Sequence, residues 1–522
     1  MNATIDTPRR HRRWQRFAAA GAGGALLAGS APPSRLGLLA YLAIIPLFWA
    51  WEGVSKGFAA RLGFFAGVVY FMVTLAWIRY FGALALILLV AVMATSWAAV
   101  GFASAWLRRT PAASPWSVAA CWVVAEGAIG RFPLGGFPWN QVGLALHDFS
   151  PARALAGWGG VPLVTFVVVA LNGFLFQLGT AVVAGLRTRR SQDRDGRPGG
   201  GERPWFPMAR RCVASLVVLA AVVALGTAAR FEPRATGTMR YALVQGNDRN
   251  RYLTSAEMES RYIPASHFRL AAELDGRYDL VVLPESSMDA DPRTDAYLRR
   301  EIRSIARRLD AAVLVNGELT DERDRTYNAN LVFDPDGQIQ GIYAKQHLVP
   351  FGEYVPWRAK LDWFSPLDQV RKDLTAGRTR QLFRIAQKPV GTAICFESSF
   401  APLISDFVSD GAELIVITTN NRSYRRSANS SQHLAMSQMR AAETGRPIAH
   451  AAISGITGVI DATGRVQQRT RLFERTVVTG SVVTTTGRTP YVRFGDWVTV
   501  LSLIALACAA VANRIRSTHH RP

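Results

Sequence analysis

Hydrophobic positions follow two different patterns along this chain. Residues 14–186 and 212–230 carry long apolar runs, 231–495 mixes short apolar stretches with polar ones, and a last apolar run, Trp497–Ala512, precedes a short basic tail. A helix needs about 20 mostly apolar residues to cross a bilayer, with about 17 tolerated. On that measure spans are predicted near Phe17–Ala31, Gly37–Trp51, Leu62–Ile78, Ala83–Leu107, Pro115–Ile129, Leu155–Leu186 and Cys212–Ala229, with a C-terminal one at Trp497–Ala512. The result is a multi-span α-helical bundle of about seven spans followed by an isolated one. The first run is rich in Gly and Ala, and its basic lead-in and Ala-Gly-Ser-Ala end also fit a signal peptide. A retained helix is the preferred reading.

Between the two membrane regions the pattern is that of an α/β domain. Tyr241–Gln245, Leu280–Leu283, Ala312–Asn316, Val390–Ile394 and Leu414–Thr418 read as buried strands, and Ser255–Leu274, Thr294–Leu309 and Ser427–Thr444 as helices between them. Asp336-Gly337 and Thr463-Gly464 mark hairpin turns. Strands alternating with helices imply a sheet covered on both faces. The predicted organisation is a tail at 1–16, a membrane domain at 17–230 with a basic loop at 187–211, a folded domain at 231–495, a span at 497–512 and a tail at 513–522.

Charge changes the picture only in the membrane regions. The net charge is +22, but 231–495 holds 35 Lys and Arg against 30 Asp and Glu, or +5. The remainder lies in tails and connectors, so it reports topology, and nucleic acid is not implied as a partner. With the N-terminus cytoplasmic, the inside segments hold 20 Lys and Arg, eight of them between Arg187 and Arg211. The short outside segments hold only Arg35, Arg79, Arg131, Arg153 and Arg230. Cationic loops stay inside, which puts both termini in the cytoplasm and 231–495 outside. Of the four cysteines only Cys395 falls in the folded domain, which therefore has no internal disulfide.

Three reactive residues lie at or just beyond strand ends. Glu285 follows Leu280-Val281-Val282-Leu283-Pro284, Lys345 sits in Ile342-Tyr343-Ala344-Lys345-Gln346-His347, and Cys395 ends Val390-Gly391-Thr392-Ala393-Ile394. A thiol with a free pKa of about 8.5 needs a base to ionise it and a cation to hold the charge it generates. Glu, Lys and Cys can fill those roles, although a domain of this size contains such a trio by chance. Read alone, Glu285 and Glu353 are better taken as exposed strand-end carboxylates and Lys345 as a solvated lysine. His347 and His433 read as structural, since no His, Cys and Asp cluster has metal-site spacing.

The flanking segments carry a resemblance. Pro284-Glu285 after an apolar strand, "YAKQHLVPFGEYVP" (Tyr343 to Pro356) and "GTAICFE" (Gly391 to Glu397) resemble the signature segments of the carbon–nitrogen hydrolase (nitrilase) superfamily. Leu348–Pro356 within a membrane protein, "GGFPWNQVG" (Gly135 to Gly143) and "MRAAETGRP" (Met439 to Pro447) are similar to its membrane-embedded apolipoprotein N-acyltransferase family. The resemblance implies a nitrilase-like α-β-β-α sandwich, with Glu285 as general base, Lys345 as oxyanion-stabilising cation and Cys395 as nucleophile. It implies supporting roles for Glu353, Glu397 and Asn328, and no cofactor or metal. The implied reaction moves an acyl chain from a phospholipid donor to the N-terminal amine of a diacylglyceryl-cysteine lipoprotein acceptor, at the outer face of a bacterial cytoplasmic membrane.

Pro356–Phe364 mixes aromatics and cations as interfacial segments do, making Trp357 and Trp363 candidates for substrate or membrane contact. One region departs from the family, whose usual Asn-Asp-x-Trp-Phe-Gly run reads Asn420-Asn421-Arg422-Ser423-Tyr424-Arg425 here. Arg422 and Arg425 are therefore candidates for an anionic headgroup, against the alternative of a solvated loop. His450–Gly455 and the stretch after Asn247 depart too. The competing readings are a membrane-tethered amidase, a divergent acyltransferase paralogue, and a transporter with an accessory domain. The transporter would need ionisable residues in mid-span, and the clear candidate, Glu126, lies near the outer end of its span.

Overall fold

The computed structural model describes residues 7–108, 114–195, 205–248, 253–361, 370 and 372–519. The chain forms two compact units: Met1–Gly130, Asn140–Arg230 and Asp496–Pro522 make the first, Arg131–Trp139 and Phe231–Gly495 the second.

In the first unit helical structure occupies every predicted run. Among the described residues five helices are long and apolar enough to cross a membrane: Lys56–Thr74, Ala83–Leu107, Ser150–Thr188, Trp205–Ala228 and Trp497–Ile515. Gly37–Trp51 and Pro115–Ile129 are shorter apolar helices, and Thr7–Ser30 completes the series. The expected basic loop at 187–211 is narrower than its composition suggested. Helix continues to Asp195 and resumes at Trp205, because Arg, Gln and Leu are good helix formers; residues 196–204 lie outside the described residues. Lys56–Thr74 and Ala83–Leu107 approach closely through small residues. A Cβ on Gly63 would lie 2.2 Å from the Trp97 carbonyl oxygen, and one on Gly101 2.4 Å from that of Ala59.

Polar side chains in this unit satisfy interrupted backbone. Helix breaks at Ile44, whose N–H donates to Asn172 Oδ1 at 2.9 Å, while Asn172 Nδ2 donates to the Ala40 carbonyl at 2.9 Å. Glu126 accepts from the Val142 N–H at 2.8 Å and the Thr165 hydroxyl at 3.0 Å. These bonds give the ionisable residue singled out for a transport role a structural one.

The second unit contains two six-stranded sheets. Its strands are β1 (Arg234–Gln245), β2 (Leu280–Val282), β3 (Ala312–Thr320), β4 (Thr326–Phe333), β5 (Ile339–Ala344), β6 (Phe383–Ile385), β7 (Lys388–Ile394), β8 (Leu414–Thr419), β9 (Ile448–Ala452), β10 (Gly458–Ile460), β11 (Val466–Arg469) and β12 (Thr476–Thr486). The first sheet runs β12-β1-β2-β3-β4-β5 and the second β11-β10-β9-β8-β7-β6. In each, three neighbouring strands are parallel, β1 to β3 and β7 to β9. Helices Tyr262–Ala272, Ala296–Leu309, Ala401–Ser409 and Asn429–Thr444 make the crossovers that parallel pairing demands. The predicted helix Ser255–Leu274 is two helices, Ser255–Glu259 and Tyr262–Ala272. Arg261 lies between them at φ 52°, its guanidinium bonded to Asp289 and Asp295. Both predicted turns are present, joining β4 to β5 and β10 to β11.

Side-chain alternation explains how the sheets meet. On β3 and β4, Val313, Val315, Ala329, Leu331 and Phe333 join Phe268, Leu298, Ile302 and Ile305 in a helix-covered core. The intervening positions face the second sheet. Asn316 Nδ2 donates to Asn328 Oδ1 at 2.8 Å and Asn330 Oδ1 at 3.0 Å, Asn330 Nδ2 donates to Thr392 Oγ1 at 2.6 Å, and Thr418 Oγ1 donates to Asn330 Oδ1 at 3.0 Å. Helices thus cover the outer face of each sheet and a polar seam joins the inner faces, the expected α-β-β-α sandwich. Asn330 is fully buried, so Asn330→Ala strands the groups it pairs. It should cost about 1–3 kcal/mol, read as a lower thermal midpoint of the full-length protein in detergent.

Candidate active site

The carboxyl ends of β2, β5 and β7 bring the three reactive residues together, and strand ends are where α/β sheets open their crevices. Glu285 leaves β2 just past Pro284, with Ser286 at φ 59° behind it. Lys345 extends β5, its N–H donating to the Asn328 carbonyl at 2.9 Å. Cys395 follows β7 at φ 52°, opening a short turn of helix. A left-handed backbone costs a non-glycine residue about 1–2 kcal/mol, so the nucleophile candidate is held in a conformation that its surroundings must enforce.

Lys345 is 1% exposed. Its Nζ donates to Glu353 Oε1 at 2.9 Å and Glu285 Oε1 at 3.4 Å. Asn328 Nδ2 donates to the same two oxygens at 2.9 and 2.8 Å, tying the carboxylates together. The other oxygen of each is fixed by backbone: Glu285 Oε2 accepts from the Asn420 N–H at 2.6 Å and Glu353 Oε2 from the Val349 N–H at 2.8 Å. Burial alone would push the Lys345 ammonium down, but Glu353, Glu285 and Cys395 hold it well above its ordinary value. Burial and the Glu285 charge push the Cys395 thiol up to about 12, against the pull of Lys345. The resting group is a thiol.

Glu397 acts on geometry. Its Oε1 accepts from the Tyr343 hydroxyl and from the Gln346 and His347 N–H groups, and its Oε2 from the Ile394 N–H at 2.7 Å. One side chain thereby clamps the segment that carries Lys345 to the strand end that carries Cys395. Burial pushes its carboxyl up to about 7, against the pull of those backbone donors and Lys345.

Several neighbours escaped the sequence reading. Thr419 Oγ1 lies 3.4 Å from Cys395 Sγ. His433 Nε2 donates to the Cys395 carbonyl at 2.9 Å, which assigns this histidine to the site as a support. Trp139 Nε1 donates to Gln432 Oε1 at 2.9 Å, and Phe137 and Trp139 both stack on Phe396, the residue after the cysteine. The only signals for these contacts were a polar residue at the end of an apolar strand and aromatics in a conspicuous motif.

The remaining candidates divide. Arg422 Nε pairs with Asp248 at 3.0 Å, Arg426 lies over the Phe473 ring, and Arg425 is exposed. Trp357 is exposed at a left-handed bend; Trp363 lies outside the described residues. No group of three or more His, Cys, Asp and Glu side chains among the described residues is arranged to hold a metal ion.

A two-sheet sandwich with Glu, Lys and Cys at converging strand ends defines a carbon–nitrogen hydrolase fold, and the carbon-nitrogen hydrolase family model matches residues 228–491. The apolipoprotein N-acyltransferase N-terminal domain model matches residues 23–174. The chain is 30% identical over 519 residues to the apolipoprotein N-acyltransferase of Geobacter metallireducens, covering 95% of each, and 32% identical over 448 residues to that of Bordetella bronchiseptica, covering 78% of this chain and 75% of the relative. A CN-hydrolase superfamily protein of Xanthomonas campestris, solved with an arsenic adduct in its active site, aligns with a TM-score of 0.38 at 23% identity, over 50% of this chain and 97% of that one. The chain belongs to the apolipoprotein N-acyltransferase family and is a membrane protein.

Burial lowers His433 and His267 to about 4, and His450 well below its ordinary value. Unfolded histidines titrate near 6.5, so below that pH the unfolded chain binds more protons than the folded one. The stabilisation from keeping these rings neutral is complete above pH 6.5 and lost as the pH falls toward 4. The thermal midpoint should fall across that window, and His433→Gln should flatten the fall.

Proposed function

We propose that the protein transfers an acyl chain from a phospholipid to the N-terminal amine of a diacylglyceryl-cysteine lipoprotein, through a thioester on Cys395. The observation that carries this reading is the buried Lys345 held between Glu285 and Glu353 beside Cys395, in a chain of this family with five helices able to span a membrane.

Because the resting thiol is protonated, attack and deprotonation go together. Glu285 takes the proton as Sγ bonds to the ester carbonyl carbon, and Lys345 balances the charge developing on the carbonyl oxygen. The carbon–oxygen bond to glycerol then breaks, and Glu285 returns the proton to the departing alkoxide, releasing lysophospholipid. The lipoprotein amine attacks the thioester, loses a proton to Glu285, and expels the thiolate, which regains that proton. Glu353 and Asn328 keep Lys345 and Glu285 in place, and Glu397 holds the cysteine turn.

A membrane location suits these substrates. Withdrawing a long acyl chain from a bilayer costs about 0.8 kcal/mol per methylene, on the order of 10 kcal/mol in all, and a tethered enzyme avoids that cost. The cationic connectors support an orientation with both termini in the cytoplasm and 231–495 on the extracytoplasmic face of a bacterial cytoplasmic membrane. Trp357 suits contact with the interface, and Arg425 suits an anionic headgroup.

Full-length protein incubated with labelled phospholipid should give an acyl adduct on Cys395, absent in Cys395→Ala and severely reduced in Cys395→Ser. Turnover should require an added lipoprotein amine; release of free fatty acid without one would make the protein a hydrolase. Reporter fusions after Arg230 and between Arg187 and Arg211 should report opposite compartments, and identical signals would defeat the orientation.

A further inference from the structure

We propose that Thr419 is a catalytic hydrogen-bond donor to the Cys395 sulfur, and that His433 is the positioning residue that keeps its hydroxyl available. The inference rests on Cys395 being the nucleophile, and adds a group to the Glu, Lys and Cys set.

The argument is an inventory of protons. Three acceptors compete for the single Thr419 hydroxyl proton: Cys395 Sγ at 3.4 Å, Asn421 Oδ1 at 3.2 Å and His433 Nδ1 at 3.2 Å. A carbonyl oxygen can only accept, so the 2.9 Å contact between His433 Nε2 and the Cys395 carbonyl puts the ring proton on Nε2. Burial keeps the ring neutral, which leaves Nδ1 an acceptor. Asn421 Nδ2 supplies that acceptor at 3.2 Å while its other hydrogen reaches Asn429 Oδ1 at 2.7 Å. Nδ1 therefore stays paired when the hydroxyl turns to sulfur. A hydrogen bond to an ionised acceptor is roughly twice as strong as a neutral one, so the proton moves to Sγ when the thiolate is formed or expelled. It returns to Asn421 Oδ1 when the sulfur is a thiol or thioester.

The arrangement answers a need of the site. Burial, Glu285 and Glu353 all disfavour charge on Cys395, and Lys345, shared between two carboxylates, is the cation opposing them. Glu397, two residues on, is committed to the Lys345 segment and the Ile394 N–H. His433 also packs against Trp139 and His450, so the ring that sets the hydroxyl is itself immobile.

The test reads sulfur ionisation directly, without acyl transfer. Full-length protein in detergent is alkylated with iodoacetamide at a series of pH values, and peptide mass spectrometry separates Cys395 from Cys121, Cys212 and Cys508. Losing one donor to the thiolate should displace the rate profile upward by about one pH unit, or about tenfold in rate at fixed pH, in Thr419→Val and in Thr419→Ala, which also serves if valine is not accommodated. Thr419→Ser keeps the hydroxyl and should stay within about twofold of the parent. His433→Phe should shift in the same direction, and His433→Gln, with one donor and one acceptor, should restore part of the loss. Parent-like rates in Val and Ala, or a Ser variant as slow as Ala, would overturn the inference and leave the nucleophile reading intact. A parent protein that forms no acyl adduct on Cys395 with labelled phospholipid would overturn both.

Discussion

The buried ammonium of Lys345 is the constraint around which the second unit is arranged. An ion withdrawn from water costs several kcal/mol unless it is paired and its remaining hydrogen-bonding capacity is met. Here two carboxylates share it, an asparagine bridges them, and backbone N–H groups from two separate loops take the oxygens left over. None of these partners can move without exposing another unpaired charge. The strand ends of both sheets are therefore locked relative to one another, and the cysteine is presented to a fixed field rather than a mobile one.

That field also explains the thiol. Two carboxylates around one ammonium leave the site with an excess of negative charge, which opposes ionisation of the sulfur in advance. Such a site does not store a thiolate. A thiol that stays protonated is slow to oxidise or alkylate. That restraint suits a group with no disulfide partner in its domain.

How much of this was legible in the sequence depends on what each feature requires. Glu285, Lys345 and Cys395 stand beside short distinctive segments, and the apolar runs announce the membrane helices by length alone. Asn316 ended a predicted strand and Asn328 was singled out only by the resemblance, while Asn330 and the pairing of all three follow from the β3–β4 register, which periodicity does not set. β11 lacked the compact apolar run of a buried strand because its positions are half-buried or exposed, and β12 because its exposed positions are interleaved with buried ones. Arg422 read as a loop cation because its partner, Asp248, lies in a distant part of the chain that only the fold brings near. His433 was read as structural, and nothing in the neighbouring residues hinted that it grips the carbonyl of the nucleophile.

The nine residues Arg131–Trp139 have a consequence for how the protein is made. They are translated well before the strands they join, between two helices of the membrane bundle, yet Phe137 and Trp139 pack on Phe396, and Trp139 bonds Gln432. The sandwich is thus not a self-contained module that could be cut from the chain at Phe231. A fragment beginning there would present bare aromatic surface at Phe396, beside Cys395. In the ribosome's order of synthesis, Phe396 and Gln432 must find a piece that has been waiting since the membrane helices were laid down.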